Sequence, residues 1–165
     1  MELSGLVRKL VVPDGFRMPT TLSYNDIRAH VLGRADLDDD VRGINESLDL
    51  IRRTRGGDWP SEPLTEGFDY LDLVWHECEF REGYSYSYAV YHEDGRYMGC
   101  LYLYPMGRRT ELTEELAAYD VDVSWWVTSE FYPLGYYERL YAAAQSWLAT
   151  AWPFTAAYFS NAEIP

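Results

Sequence analysis

The stretch from residue 120 to residue 159 changes its hydrophobic period twice, and this restricts the fold more than any other feature. Apolar residues alternate along Asp120–Thr128, as in a strand, and then recur every three or four positions along Leu134–Thr150, as in a helix. Pro153 ends the helix, and the β-prone run Phe154–Phe159 follows. A strand–helix–strand unit of this kind directs the free N–H groups of the helix N-terminus towards one edge of a sheet, where they favour an anion such as phosphate.

Size and charge exclude several classes of protein. A chain of 165 residues with 47% hydrophobic and 25% charged residues is expected to form one soluble domain, residues 1–165, and not a disordered chain. No run approaches the roughly 18 apolar residues of a membrane span, and no secretory signal is recognisable, so we predict a cytoplasmic protein without membrane contact. A net charge of −13 disfavours nucleic-acid binding and suits a cationic substrate or a basic partner.

The part of the chain before residue 120 predicts three strands and two helices. Two prolines and a glycine make residues 1–23 an extended lead-in. The first helix has an acidic first turn and a basic last turn, as the helix dipole favours, and Thr65 is a suitable N-cap for the second. The predicted elements are the strand Tyr24–Leu32, the helix Asp36–Arg55, a helix from Thr65 to about Glu82, and the hairpin strands Tyr84–Tyr91 and Arg96–Tyr104.

The order strand, helix, helix, hairpin, strand, helix, strand over residues 24–160 resembles that of the GNAT N-acetyltransferases. Three local motifs are similar to those of a bacterial GNAT-like subset: Gly99–Pro105 (GCLYLYP), Ser124–Val127 (SWWV), and Trp147-Leu148 followed by Trp152–Phe154 (WPF). The resemblance implies an α+β fold, in which helices flank a central mixed sheet that is truncated after the fifth strand. The unpaired edge of that last strand predicts a homodimer or pairing by the N-terminal segment.

The same resemblance implies a site for acetyl-CoA. In the family, free backbone groups at the end of the fourth strand pair with pantetheine, and the loop [QR]-x-x-G-x-[GA] at the helix N-terminus binds the diphosphate. In this chain the loop is Tyr132-Pro-Leu-Gly135-Tyr-Tyr137, which keeps the central glycine and has tyrosine at both flanking motif positions. The implied cofactor residues are Trp126, Val127 and Thr128 for pantetheine and Leu134, Gly135, Tyr136 and Tyr137 for the diphosphate.

Two groups of residues are candidates for the transfer reaction itself. A base on the fourth strand of the family corresponds to Asp122, with Asp120 as the second choice, and His30 is a weaker candidate. The acceptor side is implied to include Trp59, His76, Glu79, Tyr86 and Tyr88. The predicted function is therefore an acyl-CoA-dependent N-acyltransferase acting on a small, cationic amine.

Two other functions remain open from the sequence. One is a non-catalytic GNAT-like domain that binds a ligand or protein through an acidic, aromatic cleft. The other is an unrelated α+β acidic interaction domain, such as an inhibitor of a basic protein. Cys78 and Cys100 have neither the spacing nor the histidine partners of a metal site, so we expect two reduced thiols and no metal.

Overall fold

The computed structural model describes residues 8–165 and contains one six-stranded mixed sheet with four α-helices. The strands lie in the sheet in their sequence order; the first five are antiparallel and the last two are parallel to each other. This confirms the predicted α+β class. The strands are β1 Thr21–Tyr24, β2 Ile27–Val31, β3 Tyr86–His92, β4 Tyr97–Tyr104, β5 Val121–Val127 and β6 Ala157–Phe159; the helices are α1 Leu37–Asn45, α2 Leu48–Arg55, α3 Glu66–Glu82 and α4 Tyr136–Ala151.

The beginning of the sheet differs from the prediction. The strand predicted over Tyr24–Leu32 corresponds to β2, which is shorter than predicted. Part of the predicted lead-in forms β1, so the sheet has six strands instead of five. The cause is a tight turn at Asn25, whose φ of 51° is a left-handed conformation that asparagine tolerates. The next residue, Asp26, accepts hydrogen bonds from the Tyr136 hydroxyl and from Arg139, which fix this hairpin to α4. Residues 1–7 of the lead-in lie outside the described part.

The predicted helix Asp36–Arg55 is two helices, α1 and α2. The break lies at Glu46 and Ser47, where the loop after β5 forms hydrogen bonds with the helical backbone and side chains. The Ser129 hydroxyl donates to the Glu46 carbonyl oxygen at 2.9 Å, and the Ser129 amide donates to Ser47 Oγ at 2.9 Å. The first bond occupies the Glu46 carbonyl oxygen, which would otherwise accept a bond within a continuous helix, and hydrophobic periodicity does not reveal such long-range bonds.

The two faces of β5 belong to two different cores. Val121, Val123, Trp125 and Val127 pack with α4 and the inward face of β3, whereas Trp126 packs with residues of α1, α2 and α3 on the opposite face. The alternation predicted for this strand is therefore confirmed. The predictions for α3 and the hairpin are also confirmed: the Thr65 hydroxyl accepts the Phe68 amide at 3.2 Å, and β3 pairs with β4.

A pair of buried carboxyl groups links α1 to α3. Asp40 is 3% exposed and Asp69 is fully buried, and neither Asp69 oxygen has a donor among the described residues. Burial, reinforced by the charge of Asp40, raises the pKa of Asp69 to about 8. Burial also raises the pKa of Asp40 to about 6, although it accepts a hydrogen bond from the Tyr97 hydroxyl. A proton on Asp69 lets this carboxyl group donate a hydrogen bond to Asp40, which two ionised carboxylates cannot form.

We expect Asp69→Asn to stabilise the protein above neutral pH. The folded state holds a proton that the unfolded chain releases near pH 4, so stability falls as pH rises from about 4 to about 8. The amide of asparagine donates to Asp40 at any pH. Thermal unfolding at pH 5 and pH 8 should show a smaller pH effect for the variant and a Tm at pH 8 that is higher by roughly 2–4 °C or more. The exposed control Asp38→Asn should keep the wild-type pH dependence; an identical dependence in Asp69→Asn would contradict the assignment.

Candidate functional site

The strands β5 and β6 separate after three residue pairs. The pairing runs from Val121 with Ala157 to Val123 with Phe159, and the Ser160 amide then donates to the Val123 carbonyl oxygen at 2.9 Å. Beyond this point the side chain of Asn161 replaces the strand. Its Oδ1 accepts the Trp125 amide at 3.1 Å, and its Nδ2 donates to the Trp125 carbonyl oxygen at 2.9 Å. We call the space between β5 and residues 160–165 the β5 groove, and residues 160–165 the C-terminal segment.

The C-terminal segment is fixed to the end of α2. The amides of Ala162 and Glu163 donate to the carbonyl oxygens of Arg55 and Thr54, at 3.1 and 3.0 Å. The ring of Tyr137, buried beside Trp125, reaches across the groove, and its hydroxyl donates to the Glu163 carbonyl oxygen. These contacts, together with Asn161, close the groove at Trp125.

The loop before α4 uses its backbone amides internally. The amides of Tyr132, Leu134, Gly135 and Tyr136 donate to carbonyl oxygens at positions 128, 131 and 132 of the same loop, at 3.0 to 3.4 Å. Gly135 adopts a left-handed conformation with φ of 83°, and Leu134 is 57% exposed. A diphosphate at this loop would meet only the free amides of the first turn of α4, beside the carboxylate of Glu138.

Of the three residues implied for pantetheine, Val127 alone turns its backbone to the groove. The Thr128 amide donates to the Met98 carbonyl oxygen on β4 at 2.7 Å, and the Trp125 amide points the other way, to Asn161. Because successive amides of a strand point to opposite sides, the Val127 amide points to the groove, as that of Trp125 does. Trp126 is buried, and its indole N–H donates to the Tyr102 hydroxyl at 2.9 Å. Gly99 permits this close strand pairing, because a Cβ there would lie 2.0 Å from the Trp126 carbonyl oxygen.

These observations test whether acyl-CoA fits the place implied for it. With Asn161 bonded to Trp125 and Tyr137 spanning the gap, the β5 groove as it stands does not admit a pantetheine arm. The loop amides implied for the diphosphate are already paired, apart from those of the first helical turn. Binding of the donor therefore requires the C-terminal segment to move.

The two candidate bases have different surroundings. Asp120 is exposed, and its two oxygens accept hydrogen bonds from the amides of Thr155 and Ala156, so it holds the turn before β6. Asp122 is 1% exposed; its Oδ2 accepts the Thr110 hydroxyl at 3.1 Å, and its Oδ1 has no partner among the described residues. Burial raises the pKa of Asp122 above its usual range.

Three of the five predicted acceptor residues come together in one cavity of about 200 Å³ between α2, α3 and β4, which we call the α3 cavity. Tyr86 and Tyr88 do not join them, because they are buried in the core on the opposite face of the sheet, against Phe80 and Trp147. The candidate base His30 is also elsewhere, paired with Asp36 at 2.7 Å. The cavity is lined by the predicted residues Trp59, His76 and Glu79 and by Arg55, Asp72, Trp75, Tyr102, Tyr104 and Arg108.

Most polar groups of the α3 cavity are paired with one another. His76 lies between Ser87, whose hydroxyl is 3.1 Å from Nδ1, and Asp72, which is 3.3 Å from Nε2. Burial alone would raise the pKa of Glu79, but the Arg108 guanidinium, held by both Glu79 oxygens, lowers it. Sequence reasoning missed Asp72, although its spacing of four residues from His76 on a helix was a usable signal.

No family model matches the chain, and no curated protein matches it. Solved structures do match: a ribosomal-protein alanine acetyltransferase from Vibrio fischeri has a TM-score of 0.59 at 10% identity, over 81% of this chain and 69% of the other. The chain has the GNAT acetyltransferase fold.

Two further GNAT-fold neighbours were solved with cofactor. RimL, a ribosomal alpha-N-protein acetyltransferase in complex with coenzyme A, has a TM-score of 0.59 at 11% identity, over 78% of this chain and 67% of the other. MccE, a microcin self-immunity acetyltransferase in complex with acetyl-CoA and AMP, has a TM-score of 0.58 at 9% identity, over 82% of this chain and 71% of the other. None of the described helices is long and apolar enough to cross a membrane, and residues 8–165 contain no cluster of metal-ligating side chains.

We expect Asn161→Ala to destabilise the protein by about 2–4 kcal/mol. The substitution leaves the buried amide and carbonyl of Trp125 without partners, and each unsatisfied group costs roughly 1–3 kcal/mol. Urea unfolding measures the loss. The matched control Glu163→Gln removes only the half-exposed ion pair with Arg53 and should cost less than about 1 kcal/mol. Equal effects of the two substitutions would show that Asn161 does not hold the segment.

Proposed function

We propose that this chain is an N-acyltransferase that uses acyl-CoA, most simply acetyl-CoA, and acts on a small amine. The observation that carries the proposal is the separation of β5 from β6 beside the N-terminus of α4, in a chain with the GNAT fold. Two structural neighbours with this fold are described as complexes with coenzyme A or acetyl-CoA. The cofactor residues proposed are the backbone of Val127 and the first-turn amides of α4.

The proposed donor site is opened by release of the C-terminal segment. Asn161 holds the segment through two hydrogen bonds to Trp125, and Tyr137 holds it through its bond to the Glu163 carbonyl oxygen. Removal of these contacts would expose the β5 edge from Trp125 to Val127 for pairing with an extended ligand. The stability of the closed groove then subtracts from the affinity for the donor.

The amine is proposed to occupy the α3 cavity, on the face of β5 that carries Asp122. Asp122 is the proposed acceptor of the ammonium proton, since its Oδ1 is unpartnered and its pKa is raised; because it is 1% exposed and does not line the cavity, this role requires a proton path through the residues between them. Asp120 is not retained for this role because both of its oxygens hold the turn before β6. A substrate ammonium group would face Asp72 and the aromatic walls of Trp59 and Tyr104.

Calorimetric titration with acetyl-CoA tests the donor site. The wild type should bind weakly, and Asn161→Ala should bind about tenfold or more tightly, because the closing contacts no longer compete. Thr65→Ala is the matched control: it removes the N-cap of α3, costs about 1 kcal/mol, and leaves the segment in place. If Thr65→Ala shows the same gain in acetyl-CoA affinity as Asn161→Ala, the gain reflects general destabilisation and contradicts opening of the groove.

A second function is favoured by one observation, the closed groove itself. A GNAT-fold domain that binds a ligand in the α3 cavity without catalysis needs no donor site, and internal pairing of the loop amides is consistent with that use. The titration separates the two functions. No heat of acetyl-CoA binding in the wild type and in Asn161→Ala, with the fold intact, would overturn the transferase and leave the binding domain.

A further inference from the structure

The wall of the α3 cavity contains one arginine without an acidic partner. Arg55, the last residue of α2, is 8% exposed and lines the cavity. Its Nε donates to Ser124 Oγ at 3.2 Å, and its guanidinium lies over the Tyr102 ring, 4.3 Å from the ring centre. Within residues 8–165, no carboxylate oxygen lies within 4 Å of it, and its two terminal nitrogens have no hydrogen-bond partner.

The charged side chains around Arg55 leave its guanidinium without a direct partner. The charge of Arg108 is balanced by Glu79, and Asp72 faces His76. Arg109, which is half-buried and does not line the cavity, places a second guanidinium near Arg55, and burial together with the Arg55 charge lowers the pKa of Arg109. Asp122 lies near both arginines but forms no ion pair with either of them within residues 8–165. A buried charge without a partner is costly, and an anion in the cavity would remove that cost.

We propose that the α3 cavity binds a small organic carboxylate, held by the two terminal nitrogens of Arg55. The planar guanidinium fork matches a carboxylate in two parallel hydrogen bonds. Because the opposite wall carries Asp72 and Glu79, the cavity suits a single negative charge better than the double charge of phosphate.

The remaining walls define the body of the ligand. The Arg55 guanidinium lies over the rings of Trp59 and Tyr102, and that of Arg108 lies over Tyr104. Trp75, which also lines the cavity, is 62% exposed. Such walls favour a flat apolar or aromatic group attached to the carboxylate. A volume of about 200 Å³ lies below the roughly 300–1,000 Å³ of sites for drug-sized molecules, so the ligand is a small one.

This inference stands apart from the transferase proposal, since it concerns binding in the α3 cavity and requires no acyl donor. Where both hold, the acceptor is an amine that also carries a carboxylate, as amino acids do. The carboxylate would lie on Arg55 and the ammonium group towards Asp72, at opposite sides of the same cavity.

Benzoate, benzamide and inorganic phosphate test the inference on the full chain without acetyl-CoA. Calorimetry, with tryptophan fluorescence as a second readout of Trp59 and Trp75, should detect benzoate binding and no binding of benzamide, its neutral isostere. Arg55→Gln should lower benzoate affinity about 10- to 100-fold, and Arg55→Lys should restore part of it, since the charge stays but the fork is lost. Arg81→Gln, an exposed arginine of α3, is the matched control and should bind as the wild type does.

Each outcome decides the inference. Equal binding of benzoate and benzamide, or benzoate binding unchanged in Arg55→Gln, would overturn it, and phosphate binding in preference to benzoate would overturn the carboxylate assignment. If Arg55→Gln fails to fold, Arg55→Lys is compared with the wild type instead. Lysine keeps the buried positive charge but lacks the planar fork, so its benzoate affinity should still fall below that of the wild type. Failure of the acetyl-CoA titration leaves these results unaffected, so the two proposals fall separately.

Discussion

The side chain of one residue, Asn161, determines what the separation between β5 and β6 is able to hold. The sheet opens at this point, and an exposed strand edge presents unpaired amide and carbonyl groups. Asn161 satisfies both groups of Trp125 with the two ends of one amide, so the edge is paired although no strand lies beside it. Tyr137 and the end of α2 hold the same segment, through the Glu163 carbonyl oxygen and through the amides of Ala162 and Glu163.

The two sides of β5 perform separate tasks. One side packs against α4, and the other lies beneath the α3 cavity. On the cavity side, Trp126 packs in the core and Ser124 accepts the hydrogen bond of Arg55. The cavity is also chemically unlike a simple acidic cleft, despite the net charge of −13. Glu79 is paired with Arg108 and Asp72 lies beside His76, while the terminal nitrogens of Arg55 have no partner among the described residues, so the cavity offers a ligand a cation as well as a carboxylate.

Local pattern in the sequence was enough to predict the elements that depend on neighbouring residues. The alternation along β5, the Thr65 cap of α3 and the β3–β4 hairpin are of this kind. The break at Ser47 and the closing of the groove by Asn161 were not predictable, because each depends on hydrogen bonds between residues far apart in the chain. Arg55 was interpreted as a complement to the helix dipole, and only the fold shows that its side chain turns into a cavity.

Arg55 belongs to both sites at once. Its side chain lines the α3 cavity, while its backbone carbonyl oxygen accepts the Ala162 amide of the C-terminal segment. A ligand that fixes Arg55 in its present position therefore also strengthens the attachment of the segment. If the donor site opens as proposed, a cavity ligand that holds Arg55 in place would oppose that opening, and by linkage each ligand would weaken the binding of the other by the same factor.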